Sequence, residues 1–152
     1  MACDKAGLKY LHGCEVYLTE KLLLTDPRTG EQNKVRDNYH TILIAKNYAG
    51  LQEMNELISR SSQDDHFYYK PRITFDEFLG ISSNVIKISA CLASPLNRMS
   101  ITHPMYERLL KHYDYLEIQA HDHPEQVAYQ SPILAENVSE IRHPAHCRHR
   151  YS

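Results

Sequence analysis

Residues 39–59 read YHTILIAKNYAGLQEMNELIS, and the hydrophobic periodicity changes in the middle of this stretch. The first part, 39–45, is rich in β-branched and aromatic residues, which predicts a buried strand. From Tyr48 onward the apolar residues recur every three or four positions, which predicts a helix with one apolar face. We expect this helix to pack on a sheet. Its apolar positions are Tyr48, Leu51, Met54, Leu57 and Ile58.

The alternation of helix and strand begins upstream of this stretch. Residues 1–11 have the character of the end of a helix, which we expect Gly13 to close. A strand follows at 14–18, where strand-forming residues are concentrated. Residues 25–38 are polar and contain proline and glycine, so we predict a surface loop there.

The same alternation continues downstream. Thr74 is predicted to cap a short helix, because Glu77 occupies the capping-box position. Strands that alternate with helices of about 10 to 15 residues are typical of α/β folds. The fold class predicted is therefore α/β, as a parallel layer or as a barrel with mainly parallel strands. The other downstream elements expected are a loop at 67–73, a strand at 84–92, a helix at 104–113, a strand at 115–119 and a helix that begins at Pro124.

Composition narrows the class of protein. With 152 residues, of which 42% are hydrophobic, the chain is sized for one domain with a modest core. A net charge of −2 gives no electrostatic reason for tight, sequence-independent binding to nucleic acid. No apolar run approaches the roughly 20 residues that span a bilayer, and no secretory signal begins the chain, so we expect a cytoplasmic protein that contacts no membrane. The four cysteines have no zinc-ribbon or disulfide spacing, and we expect reduced thiols.

Metal-ligating side chains occur in or just after several predicted strands. Glu15 lies in the first strand, His40 in the second and Cys91 at the end of the third, and His121 to His123 follow the fourth. Reactive groups gather at the carboxyl ends of strands in α/β folds, and a carboxylate, an imidazole and a thiolate suit zinc, manganese or iron. The alternative is a surface carboxylate, a hydrogen-bonded core histidine and a small buried thiol.

Several stretches, in this order, resemble one family. They are GCEVYL (13–18), HTILIAKNYAGLQEMNELIS (40–59), FYYKPRI (67–73), ISACLAS (88–94) and YLEIQAHDHPEQ (115–126). Together they resemble the PHP domain at the front of the bacterial DNA polymerase III alpha subunit, over about residues 1–129. The run around His40 and the FYYKPRI loop are distinctive of replicative polymerases within the wider PHP superfamily. This resemblance implies a distorted (β/α) barrel of the PHP type.

The resemblance also implies a chemistry. In the family, divalent metal ions held at strand ends cleave phosphodiesters in a 3′–5′ proofreading reaction, or the domain only supports the polymerase. The matching ligands here are Glu15, which bridges metals in the family, His40 and Cys91, and these would be the catalytic and metal-binding residues. Arg72 would steer a substrate phosphate, although a solvated loop arginine is an equal alternative. The segment with His121 and His123 matches no family ligand, and we expect rim residues there.

The start of the chain departs from the family pattern. Members carry a His-x-His strand, an aspartate and a further histidine upstream of the GCEVY strand, and none of these has a counterpart before Gly13. We therefore expect an incomplete barrel that lacks these ligands and leaves apolar surface uncovered.

Residues 130–152 depart from the pattern as well. The family continues with a strand like PLIAGTDTH, whereas this chain ends RHPAHCRHRYS (142–152). One permitted set of codons for that ending, read one base later, encodes AIPLIAGTDT. We therefore interpret 130–152 as an aberrant tail produced by a frameshift near Tyr129 or Gln130. The alternative is a zinc site in the tail, from His143, His146, Cys147 and His149.

These observations lead to a function at two levels. By descent the chain is expected to be part of a DNA polymerase III alpha subunit, in a DNA-replication context with DNA and replisome subunits as partners. As a molecule it is expected to be inactive alone, because metal ligands need a supporting shell. The nucleotidyl-transfer site of such polymerases lies far downstream of the PHP domain. The alternatives are a stand-alone PHP phosphoesterase, a noncatalytic replisome interaction module and a poorly folded fragment.

Overall fold

A computed structural model describes residues 2–119 and Pro124. The chain divides into two compact units, Met1–Glu117 and Ile118–Ser152, and the elements below belong to the first. In chain order they are α1 (Ala2–Lys5), β1 (Gly13–Thr19), β2 (Leu23–Thr25), β3 (Gln32–Lys34), β4 (Tyr39–Ala45), α2 (Tyr48–Ser61), β5 (Arg72–Thr74), α3 (Phe75–Leu79), β6 (Val85–Ile88), α4 (Pro95–Arg98) and α5 (Tyr106–His112). Within residues 2–119, no helix is long and apolar enough to span a membrane.

The main sheet has the strand order β5-β1-β4-β6. β1 pairs antiparallel with β4, β4 pairs antiparallel with β6, and β1 pairs parallel with β5. The α/β class and the incomplete barrel are confirmed, since the described strands form an open mixed sheet rather than a closed barrel. The strands are not mainly parallel, however. The chain returns from β1 to β4 through the β2–β3 hairpin instead of a crossover helix, and a parallel pair needs such a crossover.

One face of this sheet carries the core. Side chains alternate between the two faces of a strand, and the register places Leu18, Leu43 and Val85 on the same face, where all three are fully buried. Helix α2 packs against β4, β5 and β6, and its Met54 is also fully buried. Glu15 and His40 belong to the opposite face, because their positions are offset by one residue from the buried set.

Helix α2 begins where the sequence predicts. The Asn47 side chain caps it by accepting a hydrogen bond from the Gly50 amide at 2.9 Å. A Cβ atom at Gly50 would lie 2.2 Å from the Asn84 carbonyl oxygen, so the helix approaches the turn before β6 at this glycine. Tyr48 is 73% exposed, so its predicted place on the packing face is wrong. It lies two residues, or about 200° of helix rotation, from Gly50 and therefore projects away from the close approach.

The capping box of α3 is confirmed. The Thr74 hydroxyl accepts a hydrogen bond from the Glu77 amide at 3.2 Å, and the Glu77 carboxylate accepts one from the Thr74 amide at 2.7 Å. The box satisfies amide groups that the first helical turn leaves unpaired, and it begins α3 directly at Thr74, the last residue of β5.

Other predicted elements differ in extent. The strand expected at 84–92 ends at Ile88, because Ala90 has a left-handed backbone with φ 58°. Tyr115 forms only an isolated parallel bridge with Ile88, so the strand predicted at 115–119 is absent from the described residues. The first helix ends before Gly7, which has φ 66°. The predicted loop at 25–38 contains the second strand of an exposed hairpin. The helix expected after Pro124 and the tail at 130–152 lie outside the described residues.

Candidate metal centre

Glu15 and His40 meet across the β1–β4 ladder. Glu15 pairs with Ile42 and Tyr17 pairs with His40, so Glu15 and His40 are diagonal neighbours on one face of the sheet. A Glu15 Oε1 atom lies 3.4 Å from His40 Nδ1, and the two side chains are 45% and 23% exposed. We expected these residues to converge at the carboxyl ends of parallel strands. They converge instead through an antiparallel register, which the sequence reasoning did not predict.

Cys91 reaches the same histidine from the loop after β6. The Cys91 Sγ atom lies 3.6 Å from His40 Nδ1. The loop is fixed to β4, because the His40 amide donates to the Ala93 carbonyl at 2.9 Å. Within the loop, the Ser94 amide donates to the Cys91 carbonyl at 2.9 Å. Ala90, which is 3% exposed, turns the chain through its left-handed conformation immediately before Cys91.

Both contacts are made to one nitrogen of His40, and this excludes a catalytic triad of the Cys-His-Glu kind in this arrangement. In such a triad the thiol and the carboxylate use the two different ring nitrogens. The two distances instead resemble those between neighbouring ligand atoms of a tetrahedral metal ion. A tetrahedral zinc ion with ordinary ligand distances of about 2.0–2.3 Å separates a nitrogen ligand from an oxygen by about 3.3 Å and from a thiolate by about 3.6 Å.

The donor set fits zinc in its chemistry. Carboxylate oxygen, imidazole nitrogen and thiolate sulfur are all zinc ligands. In the described part of the chain, no group of three or more His, Cys, Asp and Glu side chains is arranged so that it could hold a metal ion, and the two contacts to His40 form only part of such a site. Glu15 is nearly half exposed, so its carboxylate can change rotamer without disturbing the core.

Comparison with known proteins gives the family. The family sequence model described as "PHP domain" matches residues 1–121, which is more than half of the chain. This chain belongs to the PHP domain family. The match includes Glu15, His40 and Cys91 and stops before the tail at 130–152.

Among curated relatives, this PHP domain is similar to DNA polymerase III proteins of the subunit alpha and PolC types. It is 31% identical over 128 residues to the DNA polymerase III subunit alpha of Borreliella burgdorferi, an alignment that covers 77% of this chain and 11% of the relative. The Aquifex aeolicus subunit is 32% identical over 136 residues, covering 82% of this chain and 12% of the relative. The PolC-type DNA polymerase III of Pediococcus pentosaceus is 36% identical over 139 residues, covering 90% of this chain and 9% of the relative. The chain thus spans about a tenth of the length of these relatives.

Tyr17 belongs to the same face of this PHP domain, although the sequence reasoning did not single it out. Its ring lies edge-on to the His40 ring, with centroids 5.1 Å apart. The Lys70 ammonium lies over the Tyr17 ring, 4.2 Å from its centroid. The signal that could have found Tyr17 is its position two residues after Glu15, which puts both side chains on one face of a strand.

Arg72 lies in β5 rather than in a solvated loop, and it is 1% exposed. Its guanidinium donates to the backbone carbonyls of Val35 and His66, and it lies 5.5 Å from the Tyr68 ring centroid. Burial lowers the pKa of Arg72, and the nearby Asp37 opposes that effect. These contacts give Arg72 a structural role, and the contact with a substrate phosphate stays a prediction.

The remaining sequence candidates cannot be placed. The residues that lie outside the described part of the chain are His121, His123, His143, His146, Cys147 and His149.

Cys14 differs from Cys91 in its surroundings. Burial, and then the neighbouring Glu15, raise the pKa of the Cys14 thiol, which favours the protonated form that does not bind metal.

Proposed function

We propose that this PHP domain is of the DNA polymerase III alpha type and that Glu15, His40 and Cys91 bind a divalent metal ion. The observation that carries the proposal is the convergence of the Glu15 carboxylate and the Cys91 thiol on His40 Nδ1, at 3.4 and 3.6 Å. The similarity to polymerase subunits supports a replication context, with DNA and replisome subunits as the partners.

Each residue has a distinct part in this proposal. His40 ligates as neutral imidazole, and the Tyr17 ring against it limits its rotation. Cys91 ligates as thiolate, a soft donor that favours zinc over manganese or iron. Glu15 would hold the ion through a carboxylate oxygen. A bound ion would supply the chemistry of phosphodiester hydrolysis, because it would polarise a phosphate and lower the pKa of a water molecule.

We propose further that the chain alone binds metal without sustained turnover. Productive hydrolysis requires ligands held within about half an ångström by a supporting shell. Among the described residues, only three of the predicted ligands come together, and Glu15 among them is nearly half exposed. Metal binding and catalysis are therefore separate questions with separate measurements.

Binding is tested by titrating Co²⁺ into the full chain and following the thiolate-to-metal charge-transfer absorption. The metal-binding side chains of the tail are first substituted so that they do not compete for Co²⁺. The substitutions are His143→Ala, His146→Ala, Cys147→Ser and His149→Ala. We expect the absorption to appear in this background and to disappear with Cys91→Ser. His40→Ala should weaken binding by tenfold or more, on the order of the loss that follows removal of a metal-site contact.

Cys14→Ser is the matched control, because Cys14 is a half-buried cysteine of the same strand as Glu15 but of the opposite face. It should leave the absorption unchanged. If the charge-transfer band is absent from the tail-substituted chain, or survives Cys91→Ser, the proposed centre does not exist.

Turnover is tested with bis-p-nitrophenyl phosphate in the presence of Zn²⁺, Mn²⁺ or Fe²⁺. We expect no release of p-nitrophenol above the rate that the metal ion gives without the protein. Release that is abolished by both Glu15→Ala and His40→Ala would establish a stand-alone phosphoesterase instead. Co-purification with replisome proteins that persists in chelator, together with a negative Co²⁺ titration, would establish a noncatalytic interaction module.

A further inference from the structure

A short aromatic turn lies beside the candidate centre. This turn, residues 67–70, is closed by a hydrogen bond from the Tyr68 amide to the Lys70 carbonyl at 3.1 Å. Tyr69 forms its tip, with φ 57° and a side chain that is 84% exposed. The Tyr68 ring lies edge-on to the Tyr69 ring, with centroids 4.6 Å apart. The turn therefore presents one aromatic ring to solvent on a fixed support.

The conformation of Tyr69 is unfavourable on two counts. A left-handed backbone costs a non-glycine residue about 1–2 kcal/mol. An aromatic side chain that is largely exposed also gains little from burial in return. Residues held in such conformations cluster at ligand-binding sites, where the surrounding structure maintains the strain. Stability therefore does not account for a tyrosine at this position.

Contacts connect the turn to the proposed metal centre. Lys70 lies over the Tyr17 ring at 4.2 Å, and Tyr17 contacts His40. The register places Tyr17 between Arg72 on β5 and His40 on β4. With a strand spacing of about 4.8 Å, the backbones of Arg72 and His40 are about 10 Å apart. The turn ends at Lys70, two residues before Arg72, so the turn and the candidate centre lie on either side of Tyr17, which contacts both Lys70 and His40.

We propose that Tyr69 and Lys70 form a nucleotide-binding platform, on which the Tyr69 ring stacks against a base of a single-stranded oligonucleotide and the Lys70 ammonium contacts its phosphate. Proteins that bind single strands combine such aromatic rings with basic side chains. The platform gives Tyr69 and Lys70 the role of positioning a strand at the proposed centre, and in that sense it rests on the proposed function. With a net charge of −2 for the whole chain, binding is local, weak and sensitive to salt.

The test is fluorescence anisotropy of a labelled oligothymidylate of about eight nucleotides, a length within the range that one such site covers. The full chain is titrated at low salt with excess EDTA, so that no metal contributes. Tyr69→Asn removes the ring, and asparagine tolerates a left-handed backbone, so the turn should persist. Tyr69→Phe keeps the ring. Tyr48→Asn is the matched control, because Tyr48 is also strongly exposed but lies on α2.

We expect Tyr69→Asn to raise Kd about fivefold or more, the loss that corresponds to removal of one base–aromatic stack. Tyr69→Phe and Tyr48→Asn should stay within about twofold of the unmodified chain. Lys70→Gln should weaken binding. It should also make the slope of log K against log salt concentration shallower by about one, because one fewer counterion is released. The thermal midpoint of Tyr69→Asn should be equal to that of the unmodified chain or higher.

The platform is refuted if the unmodified chain does not bind the oligonucleotide, if Tyr69→Asn binds as tightly as the unmodified chain, or if Tyr48→Asn weakens binding equally. Failure here is distinguishable from failure of the metal centre. Oligonucleotide binding that depends on Tyr69 in EDTA, combined with a negative Co²⁺ titration, leaves the platform and removes the metal centre. A positive Co²⁺ titration, combined with oligonucleotide binding that does not depend on Tyr69, refutes only the platform.

Discussion

Two non-glycine residues in the described part of the chain have left-handed backbones, and each lies beside proposed chemistry. Ala90 directly precedes Cys91, and Tyr69 directly precedes Lys70. Each conformation costs about 1–2 kcal/mol, which the surrounding hydrogen bonds must offset. The sequence contains no sign of either, because neither position carries the glycine or asparagine that usually marks such a backbone.

Glu77 joins a capping box to a buried histidine. Its carboxylate lies 2.9 Å from His66 Nε2, and the other ring nitrogen of His66 lies 2.9 Å from Asp65 Oδ1. Burial acts to raise the pKa of Glu77, but the hydrogen bonds from Thr74 and the contact with His66 outweigh it, and the net direction is downward. The ionised form of Glu77 is therefore the one that stabilises the fold.

This arrangement predicts an acid-sensitive fold. A carboxyl whose folded pKa is depressed contributes stability that is present above its ordinary pKa and is lost as the pH falls through the folded value. Urea unfolding measured from neutral pH down to about pH 3 should show this loss, and Glu77→Gln should make the profile flatter over that acidic range. Glu56→Gln, at an exposed carboxylate of α2, is the control. An unchanged profile in Glu77→Gln would contradict the assigned role.

Helix α2 owes its position to Gly50. Alanine is a better helix former than glycine by about 1 kcal/mol, so propensity alone predicts that Gly50→Ala stabilises the protein. The new Cβ atom would instead lie 2.2 Å from the Asn84 carbonyl oxygen, which is backbone and cannot move aside easily. We expect a net destabilisation of about 2 kcal/mol or more in denaturant unfolding.

Gln52→Ala, at an exposed position of the same helix, is the comparison for that measurement. It should change the free energy of unfolding by less than about 0.5 kcal/mol. If Gly50→Ala stabilises the protein as much as propensity predicts, the close approach of α2 to Asn84 is wrong.

Local signals predicted the individual elements well. The strand at 39–45, the helix from Tyr48 and the Thr74 capping box depend on neighbouring residues, and the structure contains all three. The strand at 115–119 failed because its apolar residues have only one bridge, to Ile88, in place of a full ladder. Strand formation depends on a partner that is distant in sequence, so local pattern alone cannot establish it.

In the molecule as a whole, the direction of the strands was the main error. Helices between strands predicted parallel neighbours, but the hairpin between β1 and β4 reverses the chain and makes these neighbours antiparallel. Residue types and family resemblance singled out Glu15, His40 and Cys91 as candidate ligands, and that role stays a prediction. Their contact through one nitrogen depends on the register of β1 and β4 and on the turn at Ala90, neither of which the sequence reveals.

Half-buried apolar side chains continue from the candidate centre along the same face of the sheet. The register places Ile42 opposite Ile88 and Ile44 opposite Ile86, on the face that also carries His40. An apolar floor of this kind lowers the local dielectric and strengthens the binding of charged ligands to a metal ion. The centre is therefore expected to bind metal through few ligands on a partly desolvated surface.

X-ray absorption spectroscopy of the zinc-loaded chain with the tail ligands substituted tests the metal centre most directly. We predict nitrogen and oxygen neighbours at about 2.0–2.1 Å together with one sulfur at about 2.3 Å. The sulfur should disappear with Cys91→Ser and remain with Cys14→Ser. A zinc ion surrounded only by nitrogen and oxygen, or a sulfur that persists in Cys91→Ser, would contradict a centre built on Glu15, His40 and Cys91.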